Sequence, residues 1–107
     1  MKEILIVEDE VIAALALKGL LRSSGYRVTD YVASGEDAIT SIKEHKPDII
    51  LMDITIAGEL DGIETYKIIK SEEKIPVIFL SGYDDDSIRK KAEETNPLGY
   101  FLKPYEF

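Results

Sequence analysis

Cysteine is absent from the 107 residues, which excludes disulfides, thiol catalysis and thiolate metal sites and suits a reducing compartment. No apolar run approaches the ~20 residues that a membrane-spanning helix requires. Met1-Lys2-Glu3 leads straight into a strand-like segment, without the long apolar core and small-residue cleavage site of a signal peptide. A soluble cytoplasmic protein with no membrane partner is therefore expected. Positive charge is the minority, with 13 Lys+Arg against 21 Asp+Glu and a net charge of -8. That balance argues against direct binding of nucleic acid, although an acidic domain can serve a protein whose other domain binds DNA. No strand-like run is followed by G-x-G-x-x-G or G-x-x-x-x-G-K-[ST], so the phosphate-cradling loop of a nucleotide- or flavin-binding module is missing.

What is present is a globular composition, 45% hydrophobic and 32% charged, long enough for one domain spanning 1–107. Ile4-Leu5-Ile6-Val7 is a short β-branched run that stops at Glu8-Asp9-Glu10. Val11 to Leu21 has helical length, and Ser24-Gly25 supplies a stop. Arg27 to Val32 reads as a second strand, and a helix from Ser34-Gly35 to about His45 is closed by Pro47. Asp48 to Asp53 is the clearest strand, followed by a loop with Gly58 and Gly62 and a helix over roughly Ile63 to Lys70. Val77 to Leu80 is a fourth strand, ending at Ser81-Gly82. Asp84-Asp85-Asp86 opens a helix that Asn96-Pro97 ends, and Tyr100 to Leu102 is a fifth strand before Lys103-Pro104. Strict alternation of apolar strands with helices predicts an α/β, doubly wound, five-stranded parallel sheet with right-handed crossovers, and the run of polar residues at the strand ends leads us to expect the order 2-1-3-4-5.

Such sheets place their chemistry beyond the carboxyl ends of the strands. The residues at those ends are Glu8 and Asp9, Asp53, Ser81 and Lys103. Carboxylates this crowded repel one another unless a cation joins them. An all-oxygen acidic pocket suits Mg²⁺, which completes its shell with water and phosphate oxygens. Lys103 is a point charge on a flexible stem and Ser81 a hydroxyl donor, both suited to phosphoryl oxygens. A carboxylate nucleophile beside Mg²⁺ and lysine is a constellation for phosphoryl transfer.

Glu8-Asp9, Asp53, Ser81 and Lys103-Pro104, in this order and at this spacing, resemble the receiver domains of two-component response regulators along essentially the whole chain. The resemblance implies a flavodoxin-like phosphorylation switch. Asp53 would accept a phosphoryl group from a histidine kinase or histidine phosphotransfer protein, and the only catalysis would be of its own phosphorylation and dephosphorylation. It implies Mg²⁺ held by Glu8, Asp9, Asp53 and the Thr55 backbone carbonyl. It makes Lys103 the phosphoryl-binding lysine, with a cis Lys103-Pro104 bond, Ser81 the switch hydroxyl, and Tyr100 the aromatic that turns inward on activation.

Four departures from the family pattern carry expectations of their own. Ala57 stands where proline is common and Asp61-Gly62 arrives one residue late, so a more mobile loop is expected after Asp53. Glu8 adds a methylene over the more frequent Asp. Asn96-Pro97-Leu98 replaces the usual Gly-Ala before the last strand. The family continues into a fifth helix, whereas the chain stops at Phe107, so a fold lacking its final helix is expected.

Plainer readings apply to several residues. A lone strand-end Asp is commonly a turn residue, and only the alignment of Glu8, Asp9 and Lys103 argues for chemistry at Asp53. Ser81 can be a simple turn residue and Tyr100 plain core packing. Glu10 and Asp84-Asp85-Asp86 are read as helix N-capping and dipole compensation. His45, the one histidine, is read as solvated rather than as a phosphohistidine. The first helix carries apolar residues on more than one face, read as packing, with docking of a histidine-containing donor as the other use. Two functions compete: an aspartate-nucleophile phosphohydrolase, which typically needs a second Asp where Thr55 stands, and a phosphorylation-independent interaction module, which the intact Asp53 and Lys103 argue against. The oligomeric state is left open.

Overall fold

The computed structural model describes residues 2–82 and 85–102. The chain runs β1 (Glu3–Val7), α1 (Val11–Ser23), β2 (Arg27–Val32), α2 (Gly35–Glu44), β3 (Ile49–Asp53), α3 (Gly62–Glu72), β4 (Val77–Ser81), α4 (Asp86–Glu93) and β5 (Gly99–Leu102). The strands are all parallel and form one sheet in the order β2-β1-β3-β4-β5. The expected doubly wound architecture is therefore present, with four helices among the described residues.

Alternation along each inner strand sorts the core into two layers, because successive strand side chains point to opposite faces. Leu5, Val7, Ile50, Met52, Val77 and Phe79 face α2, α3 and α4. Ile4, Ile6, Leu51 and Leu80 face α1, where Ala14, Leu17 and Leu21 meet them. Each large apolar side chain buried this way contributes about 1.5–3 kcal/mol. The edge strands differ: β2 and β5 are only half-buried, since each has a neighbour on one side alone.

Helix ends follow their local chemistry. Gly25 sits at φ 91 after α1, and the Tyr26 N–H to Leu21 carbonyl bond (3.0 Å) with the Gly25 N–H to Arg22 carbonyl bond (3.1 Å) makes a Schellman stop. Asp61 and Glu64 form a reciprocal capping box on α3. Asp85 caps α4 by accepting from the Ser87 and Ile88 N–H groups at 2.8 and 3.1 Å, as expected of the aspartate run; Asp84 lies outside the described residues. Glu10 corrects an expectation. It occupies the N-cap position of α1 but makes no side-chain cap bond, and only its carbonyl engages the helix, through the Ala14 N–H at 2.9 Å. The longer glutamate side chain is a poor match for the short reach of an N-cap.

His45 caps the C-terminus of α2, more than half exposed, with its Nε2 3.0 Å from Glu3 Oε1. On α1, packing among the described residues uses only the Ala14, Leu17 and Leu21 stripe. Val11, Ile12, Leu15 and Leu20 are exposed, Ile12 at 85%.

Candidate functional site

β1 and β3 are adjacent and in register, with Val7 opposite Met52, so the residues that follow each strand emerge side by side. Carboxylate oxygens of Glu8, Asp9 and Asp53 all lie within 4.8 Å of one another. Glu8 and Asp53 are each 5% exposed, and Asp9 faces solvent. Glu8 is held by its backbone N–H, which donates to the Val32 carbonyl at 2.9 Å. Asp53 Oδ1 accepts from the Thr55 N–H at 3.1 Å, and the next residue is fixed by the Ile54 N–H to Leu80 carbonyl bond at 3.1 Å.

Three carboxylates at this spacing, two of them buried, are hard oxygen donors that fit a small divalent cation such as Mg²⁺. The longer Glu8 is accommodated in this cluster beside Asp9 and Asp53.

Ser81 is the last residue of β4 and is fully buried at the same edge, since Leu80 is the register partner of Asp53. Tyr100 is one strand further, opposite Phe79, and packs against the layer beneath α4. The Arg89 guanidinium lies 5.4 Å from its ring centroid, within cation–π range. The Tyr100 hydroxyl is buried with no hydrogen-bond partner among the described residues. Lys103 and Pro104 lie outside the described residues, as does Tyr83. The structure thus brings Glu8, Asp9 and Asp53 together and sets Ser81 at the same edge, with Tyr100 on the adjoining strand.

The loop from Ile54 to Asp61, for which mobility was expected, is cross-linked to the β2–α2 corner. The Ala57 N–H donates to the Ala33 carbonyl at 3.1 Å, and Ala57 forms a parallel bridge with Ser34. Gly58, at φ 88, packs against the Glu36 carboxylate, and Glu36 Oε1 accepts from the Leu60 N–H at 3.3 Å. Gly62 closes the loop with its N–H on the Ile54 carbonyl at 2.8 Å. Proline is one way to stiffen such a loop; these cross-links are another. Glu36 is the residue that sequence reasoning missed, since nothing local relates position 36 to positions 58–60.

The family described as "Response regulator receiver domain" matches residues 4–107. Among curated proteins, the transcriptional regulatory protein ZraR of Klebsiella oxytoca is 37% identical over 106 residues, covering 98% of this chain and 24% of ZraR. PdtaR of Mycobacterium tuberculosis, also a transcriptional regulatory protein, is 28% identical over 104 residues, covering 97% of this chain and 50% of PdtaR. The chain thus spans from about a quarter to half the length of these relatives. Among solved structures, the signal receiver domain of a modulated diguanylate cyclase from Desulfovibrio desulfuricans superposes with a TM-score of 0.91 at 37% identity, covering 99% of this chain and 84% of that one. The BeF3-activated N-terminal receiver domain of Klebsiella pneumoniae RstA gives a TM-score of 0.89 at 25% identity, with 97% and 87% covered. The shared sheet order, the clustered strand-end carboxylates and these matches agree, and the chain belongs to the response regulator receiver domain family.

Proposed function

We propose that this receiver works as a phosphorylation switch of a two-component system, with Asp53 accepting a phosphoryl group from a histidine kinase or a histidine phosphotransfer protein. The observation that carries this reading is the triad of Glu8, Asp9 and Asp53 carboxylates within 4.8 Å at the carboxyl edge of the sheet. In this reading Glu8, Asp9, Asp53 and the Thr55 carbonyl hold Mg²⁺, which supplies neutralisation of charge on the transferring group. Asp53 attacks the phosphorus through a carboxylate oxygen and becomes an aspartyl phosphate, while the donor histidine leaves with the bonding electron pair. Lys103 and Ser81 bind phosphoryl oxygens. No side chain of the protein needs to act as a general base, because a carboxylate nucleophile carries no proton to remove. Ser81 and Tyr100 then move together toward the phosphorylated site, shifting the balance between two states.

The phosphohydrolase reading is weaker, since the residue two beyond Asp53 is Thr55, whose exposed hydroxyl is no acid/base partner near neutral pH. The whole domain is read as 1–107 and as a signalling module rather than an enzyme with a diffusing substrate. Among the described residues no helix is long and apolar enough to cross a membrane.

The test is intact-mass spectrometry after incubation with acetyl phosphate and Mg²⁺. One phosphoryl adduct is expected, abolished by Asp53→Asn or by chelation. Undiminished labelling of the Asn variant would show that the acceptor lies elsewhere. For the switch, phosphorylation is expected to shift the NMR resonances of Tyr100 in the wild type and much less in Ser81→Ala; equal shifts in both would separate the two residues.

A further inference from the structure

We propose that Glu36 is a positioning residue for the divalent-cation site, acting as a tie that fixes the loop carrying Thr55 to the start of α2. The proposal rests on the receiver reading, in which the Thr55 carbonyl completes the metal shell. It adds a residue on a separate helix that contributes no atom to that shell.

Successive carbonyls at the end of β2 already hold both sides of the site. The Val32 carbonyl accepts from the Glu8 N–H at 2.9 Å, and the Ala33 carbonyl accepts from the Ala57 N–H at 3.1 Å. Beyond Ala57 the loop turns away through Gly58 and would be anchored next at Asp61, through the α3 capping box, and at Gly62. Glu36 fills that gap from the first turn of α2. One carboxylate oxygen accepts from the Leu60 N–H at 3.3 Å, and the other packs against Gly58. Glycine suits this position because its φ of 88 lies in the left-handed region, and a Cβ here would displace the Glu36 carboxylate. The segment between the ties, Ile54 to Ala57, contains Thr55, whose N–H is also bonded to Asp53. The loop that follows Thr55 is therefore tied at Ala57, Leu60 and Gly62, which limits the paths open to the backbone that carries the Thr55 carbonyl.

A glutamate in the first turn of a helix can also act only through its charge, by compensating the helix dipole. The two roles separate by chemistry. Gln retains a carbonyl oxygen able to accept from the Leu60 N–H but carries no charge; Ala retains neither.

The experiment compares wild type, Glu36→Gln and Glu36→Ala in two measurements: amide hydrogen exchange at Leu60 without metal, and Mg²⁺ affinity by NMR titration. In the Ala variant, Leu60 exchange is expected to accelerate severalfold. Its Mg²⁺ affinity is expected to fall on the order of tenfold, the low end for groups that hold metal ligands in place. Glu36→Gln is expected to restore both to near wild type. Equal losses in the Gln and Ala variants would assign the effect to charge and overturn the tie. Faster Leu60 exchange with unchanged Mg²⁺ affinity would leave the tie but overturn its role in the site. Absence of Mg²⁺ binding by the wild-type chain would overturn the receiver reading and the positioning role with it; Leu60 exchange, read without metal, keeps that failure distinct from failure of the tie.

Discussion

Gly62 lies against the main chain of Asp53, so close that a methyl group on its α-carbon would overlap the Asp53 carbonyl and come within 2.9 Å of the Ile54 Cα. The start of α3 is thereby seated on the residue proposed to carry the phosphoryl group. Backbone atoms cannot swing aside as a side chain can, so the Gly62→Ala variant must displace either α3 or Asp53. A loss of about 1–3 kcal/mol is expected, the usual range for overpacking. Phosphoryl uptake from acetyl phosphate should slow as well. Chemical denaturation and adduct formation measured together check this; full stability with unchanged uptake would show that the contact relaxes without consequence.

Burial of Tyr66 couples the stability of the fold to alkaline pH. Its ring packs edge-on to Phe79 at 5.8 Å in the core, and burial raises its phenol pKa above the ordinary value of 10.0. Between those two values the unfolded chain has released a proton that the folded chain still holds. Stability is therefore complete below pH ~10 and declines as pH rises through the folded value. Tyr66→Phe removes the ionisable group and keeps the ring. The difference in stability between variant and wild type should be constant below pH ~10 and shift in the variant's favour above it. Parallel curves across that range would show that Tyr66 does not titrate differentially.

α4 is short and buries only Ala92, with Ile88 partly covered, so its cap matters more than that of a well-packed helix. Asp85→Ala removes the acceptor of two N–H groups and should cost ~1 kcal/mol. Hydrogen exchange at Ser87 and Ile88 should rise in step. Asp86→Ala, which removes only a first-turn charge, should cost less than half as much. An equal effect from both would mean that the dipole, not the cap, supports this helix.

The aspartyl phosphate on Asp53 is expected to be long-lived. Its hydrolysis needs a water held in line with the phosphorus, and the residues flanking that approach in receivers are Thr55 and Tyr83 here. Thr55 is exposed and its hydroxyl cannot act as a base near neutral pH, and a tyrosine is no better suited to that role; Tyr83 lies outside the described residues. Dephosphorylation half-lives of wild type, Tyr83→Glu and Thr55→Asn test this, with the variants expected to decay several times faster. A wild-type lifetime of seconds, or variants no faster, would remove both side chains from control of the rate.

The sequence alone was enough for the order of elements, because apolar strands ending in carboxylates and helices with local stop signals are short-range features. Gly25 after α1 and Asp85 before α4 act within one turn of where they stand. The convergence of Glu8, Asp9 and Asp53 was also legible, since a parallel sheet can only deliver strand ends to one edge. Glu10 was misjudged as a cap because its carboxylate has the right chemistry but too long a reach. The loop after Asp53 was decided only by tertiary structure. Its sequence lacks proline and carries Gly58, which locally signals freedom, yet Ala33, Ser34 and Glu36 hold it from another βα corner. Those contacts form only once β2 and β3 have both been placed beside β1, and no periodicity in the chain encodes them.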